Sequence, residues 1–140
     1  MDLAKINYLA VLAAGVAYFL LGGLWYSPLL FANAWIAEMK FSPEHIEAAK
    51  KAKGMGKTLA TTFALGLLMA FVLALLLQAV GPRGALASGA LGLLVSFGFV
   101  ATTTATNYLH EGHTLRLLLI TTGCPVIGSA LMGLILGAWR

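Results

Sequence analysis

Charge is scarce in this sequence. Of 140 residues, nine are Lys or Arg and five are Asp or Glu, 10% charged in all. Soluble domains run near 25%. A water-soluble fold of this size could not cover its surface with so few charges. Cysteine is almost missing as well. Cys124 stands alone, which excludes an internal disulfide and any cysteine-based zinc motif. It lies in an apolar run, has no charged neighbour to activate it, and reads as a buried structural thiol. There is no G-x-S-x-G, no glycine-rich phosphate loop with Lys, and no H-E-x-x-H. These absences leave no catalytic residue to name.

The rest is apolar: 60% hydrophobic residues, with a mean hydropathy of +0.90. Four long apolar runs cover residues 6–27, 58–80, 85–108 and 115–139. Each reaches the roughly 20 residues needed to cross a bilayer core. None alternates with a period of two, so helices are expected rather than barrel strands. The expectation is an all-α integral membrane protein. Residues 1–140 form one membrane domain, an up-down bundle of four transmembrane helices. The first run reads as a retained span. Asp2 and Lys5 give no cationic excess, and no A-x-A site precedes Trp25.

A short interfacial or cytoplasmic helix is expected between spans one and two, over about 43–53. Ser42 is its N-cap and Pro43 its first residue. Glu44 and Glu47 precede Lys50, Lys51 and Lys53, an order that suits the helix dipole, and Gly54 ends it. As a solvated connector it would also touch anionic lipid headgroups. Lys40, Lys50, Lys51, Lys53, Lys57 and Arg116 fall on one side of the bundle, and Lys5, Arg83 and Arg140 on the other. The positive-inside rule then puts the loop 28–57 in the cytoplasm and both termini outside. Because the cations gather in one loop, no nucleic-acid partner is expected.

Small residues recur every fourth position in span three (Gly84, Ser88, Gly92, Ser96) and in span four (Pro125, Ser129, Gly133, Gly137). Such ladders let backbones approach closely. They would pack spans three and four as an antiparallel pair, or join copies in a homo-oligomer. Pro125 should loosen span four.

The span cores contain no Asp, Glu, Lys, Arg or His. Intramembrane ionisable residues mark ion and proton pathways. Their absence argues against a carboxylate-driven pump or a small multidrug antiporter. The polar groups are hydroxyls and one amide: Thr61, Thr62, the run Thr102 to Asn107, Thr121, Thr122 and Ser129. Most hydroxyls can return a hydrogen bond to their own helix and stay silent. The Asn107 amide needs a partner or the interface.

The topology gathers Trp25, Tyr26, Trp35, Asn107, Tyr108 and His110 on the loop side. They are the candidate ligand-binding residues, an aromatic-rimmed polar entrance. His110 and His113 would need Glu111 and His45 to hold a metal, and Gly112 interrupts them. No metal and no cofactor is expected.

"LGGLWYSPLLFANAW", residues 21–35, reads as an interfacial elbow. Ser27-Pro28 breaks the helix, and a charge-free, Trp-bearing run follows along the membrane surface. With Asn7, Gly22 or Gly23, Trp25 to Pro28, Phe31 and Trp35, the chain resembles a bacterial membrane family catalogued as domain of unknown function 1761. Ala32 stands where that family usually has Gly. The resemblance implies four spans and a bacterial membrane, and brings no reaction or ligand.

The leading reading is a non-enzymatic, homo-oligomeric bundle of the bacterial inner membrane. It would lie among membrane lipid and bind or pass a small uncharged or lipophilic molecule. The alternatives are an enzyme on a lipophilic substrate, using His110, His113 and Tyr108 with a haem or quinone, and an accessory subunit of a larger membrane complex.

Overall fold

The computed structural model describes residues 2–39, Glu44 and 55–139. The expected loop helix over 43–53 lies, Glu44 apart, outside the described residues. Five helices organise the rest: α1 (Tyr8–Trp25), α2 (Ala32–Met39), α3 (Met55–Val80), α4 (Gly84–Glu111) and α5 (Leu115–Ala138). Among the described residues, α1, α3, α4 and α5 are long and apolar enough to cross a membrane.

Each helix starts and stops for a local reason. The Asn7 side chain caps α1, its oxygen accepting the Ala10 N–H at 3.1 Å. Its amide nitrogen donates to the Trp139 carbonyl at 2.8 Å. One side chain therefore ties the start of the first span to the end of the last. Thr114 caps α5 through the Leu117 N–H. Helix α4 runs on through His110 and Glu111 and stops at Gly112, whose φ of +76° suits glycine. Between Ser96 and Ala101 it widens into a π-helical turn.

Helix α5 is the central element. Helix α1 packs on both α3 and α5, and α4 packs on α5. Ala10, Val11, Ala14, Ala70, Leu77 and Met132 fill the buried seam. Leu9, Leu20, Leu65, Leu94 and Leu119 point outward, as lipid-facing residues do. The two small-residue ladders meet inside the chain. A Cβ on Gly92 would strike the Ser129 carbonyl, and one on Gly133 the Ser88 carbonyl. Helices α3 and α4 are joined by a tight turn yet scarcely touch. A groove runs between them, with α5 as its floor.

Replacing Asn7 with Ala removes both the cap and the tie to Trp139. A lost cap typically costs about 1 kcal/mol. Asn7→Asp keeps the capping oxygen and loses the donor, so its unfolding midpoint in detergent should fall between Ala and wild type. Equal midpoints for all three would remove this role.

Candidate functional site

The elbow is built around Trp25. Its indole N–H donates to the Ile120 carbonyl at 2.9 Å, across 95 residues of sequence. The ring lies over Gly123, where an added Cβ would sit 2.6 Å from Cζ2. Pro125, two residues on, supplies no N–H to the Thr121 carbonyl and loosens that same turn. Trp25 thus ties the end of α1 to α5 one residue before the carbonyl that Pro125 leaves without its helical donor. Ser27 turns the chain: its hydroxyl donates to the Leu24 carbonyl at 2.6 Å, and its own carbonyl accepts the Ala32 N–H at 3.1 Å. The reversal packs Phe31 against Trp25 with the rings tilted by 39° and their centroids 4.7 Å apart, and sets Trp35 edge-on to Tyr26 at 6.0 Å.

Helix α2 is then held over the start of α5. The Glu38 carboxylate accepts the Thr114 hydroxyl at 2.5 Å and lies 3.6 Å from the Arg116 guanidinium. Glu38 is largely covered and Arg116 open. Glu38 therefore faces the positive end of the α5 dipole.

The other candidates are more scattered. Tyr108 packs edge-on against His113 at 4.7 Å, and His113 Nε2 is 2.9 Å from a Glu111 carboxylate oxygen. His110 Nδ1 is 2.9 Å from the Thr106 carbonyl, so that nitrogen carries the proton. Asn107 is exposed on α4. His110 is in the last turn of α4 and His113 lies beyond Gly112, so the two do not share a helix face. Among the described residues, no three His, Cys, Asp or Glu side chains group as a metal site. His45 is outside them.

Two cavities of about 300 Å³ each flank the core. One lies at the terminal side, lined by Lys5, Asn7, Gln78 and Trp139. Its polar groups are engaged within the chain: the Gln78 amide exchanges two hydrogen bonds with the Asp2 backbone, at 2.6 and 3.0 Å.

The other cavity is the groove between α3 and α4. Leu68, Val72 and Leu76 form one wall, Val95, Ser96 and Val100 the other, and Ser129 lies on the floor. Leu68 and Val72 are exposed at its rim, so it opens sideways. Ser96 is 3% exposed, and its hydroxyl has no hydrogen-bond partner. Elsewhere Ser88, Thr61, Thr62, Thr102, Thr106 and Thr122 each bond a carbonyl one turn back. Ser96 opens the π-helical turn, and Thr121 on α5 is the other buried hydroxyl without a partner among the described residues. Sequence reasoning placed Ser96 only in the packing ladder. It named Phe31 only through the family motif and gave Gly123, Glu38 and Thr114 no role in the elbow. Their partners are distant in the chain, and no local signal marks them.

Four apolar spans, one of them central, define a multi-pass helical membrane protein. Within that class, the chain belongs to the family described as protein of unknown function (DUF1761), whose model matches residues 9–137. No curated protein and no solved structure matches it significantly.

Proposed function

We propose that this protein is a non-catalytic, homo-oligomeric bundle of the bacterial inner membrane that binds or passes a small uncharged or lipophilic molecule. The groove between α3 and α4 is the site we assign to that molecule. The observation that carries the reading is a lipid-facing cavity of about 300 Å³ with aliphatic walls and no charged lining residue. That volume is at the lower end of the ~300–1,000 Å³ typical of ligand pockets. The polar residues at the loop end support a structural rather than a catalytic role, since Trp25, His110, His113 and Glu38 have partners within the chain. The cation distribution favours termini outside and the loop 28–57 in the cytoplasm.

The test uses the purified chain in lipid nanodiscs and a long-chain alcohol carrying a diazirine. Photolabelling should map to Leu68, Val72, Val95 and Val100. Val72→Trp fills the groove from its exposed rim and should abolish labelling there while the fold persists. Labelling spread evenly over all lipid-facing leucines, and unchanged in Val72→Trp, would end this assignment.

A further inference from the structure

Two hydroxyl side chains line the groove, Ser96 and Ser129, and the Ser96 hydroxyl is the one that is buried without a partner. Ser96 is almost fully buried, lines the groove, and keeps a hydroxyl proton that no atom of the described residues accepts. In water such a proton would go to solvent, and in hydrocarbon it has nowhere to go. The usual escape for a helical serine is the carbonyl one turn back. Ser88 takes it, eight residues earlier on the same helix. We infer that Ser96 donates to the oxygen of a bound ligand, a neutral aliphatic molecule carrying a ketone, ester or ether. This inference rests on the groove being the binding site.

Depth narrows the ligand further. Ser96 is 12 residues from Gly84 and 15 from Glu111, in a helix of 28 residues. At 1.5 Å per residue it lies roughly 18 and 22 Å from the two helix ends. The hydrocarbon core is about 30 Å thick, so the hydroxyl is near the bilayer centre. Ordinary phospholipids keep their ester oxygens at the interface and offer only methylene groups at that depth. The acceptor must belong to a molecule that sinks wholly into the core, or that carries its oxygen mid-chain. A charged ligand is excluded, because the groove has no counter-charge. The lining has no aromatic side chain to stack on a planar ring. The ligand is flexible and oxygen-bearing.

The experiment is a competition in nanodiscs against the same diazirine alcohol. Undecan-6-one and undecane are compared at equal mole fraction in the lipid, which removes the difference in partitioning. The ketone should displace the label at about tenfold lower concentration, the effect of one hydrogen bond. Ser96→Ala should bring the ketone to the level of the alkane. It should keep the label in the groove but weaken it, because the alcohol label loses a partner for its own oxygen, and it should raise the unfolding midpoint slightly, because an unpaired buried hydroxyl is removed. Equal competition by ketone and alkane on the wild type overturns the inference, as does a ketone preference that survives Ser96→Ala. In either case groove labelling that Val72→Trp still blocks would leave the binding site itself standing. Loss of groove labelling altogether would remove both.

Discussion

Gly133→Ala is expected to separate α4 from α5 and to destabilise the protein by at least the ~1–3 kcal/mol typical of an overpacked core. The added methyl would land on the Ser88 carbonyl oxygen and lie 2.9 Å from the Gly89 Cα. Both neighbours are backbone and cannot rotate away. Gly92→Ala meets the same obstacle from the other side, on the Ser129 carbonyl and 2.9 Å from its carbon. Relief requires the two helices to move apart as rigid bodies. In a bilayer no hydrophobic force pushes them together again, since lipid tails are as apolar as leucine. Close backbone contact is what holds the pair, and an ångström of separation forfeits much of it. Gly98→Ala is the control. It lies on the same helix with nothing within 4 Å of an added Cβ, so its unfolding midpoint should match the wild type or rise slightly. A Gly133→Ala protein that unfolds with the Gly98→Ala control would refute the close-packed pair.

The same contacts explain what the sequence could and could not disclose. Four spans were legible because long apolar runs have one common explanation in a charge-poor chain. The small-residue ladders were legible as faces, since four-residue spacing fixes which side of a helix they occupy. Whether they faced each other or another copy depends on three-dimensional arrangement, and here Gly92 meets Ser129 within the chain. The end of α4 was harder to place. The third apolar run ends at residue 108, yet His110 and Glu111 both suit a helix, and the break comes at Gly112, a residue with positive φ. Nothing in Ser96–Ala101 announces a π-helical turn, and nothing in the sequence marks the Ser96 hydroxyl as unpaired.

The groove was illegible for a further reason. It exists because α3 and α4, neighbours in sequence, pack on different partners. Sequence patterns report which faces are apolar, and here every lipid-facing surface is. The family motif was visible as residues without its purpose. Asn7 reaches Trp139 across 132 positions, and Trp25 reaches Ile120 across 95. Both ties end on backbone carbonyls, one on α5 and one at its C-cap, that carry no trace of them in the sequence.

The Trp25 tie gives the second large prediction. Trp25→Ala removes a half-buried indole, its packing against Phe31 and its bond to Ile120. The loss should fall toward the lower end of the ~3–5 kcal/mol seen for buried aromatics. Trp25→Phe keeps a ring for Phe31 and discards the N–H, so it should cost about 1 kcal/mol. Gly123→Ala should also destabilise the wild type, because its methyl would press on the indole at 2.6 Å. The two sites are coupled through one contact, so their effects should not add. In a Trp25→Ala background the Gly123→Ala methyl enters space the indole has vacated and should be nearly neutral. The expected coupling lies within the ~0.5–3 kcal/mol of residues in direct contact. Unfolding midpoints of the four proteins in one detergent close the cycle. Strict additivity would mean that Trp25 does not rest on Gly123, and that the elbow is held by α2 alone through Glu38, Thr114 and Arg116.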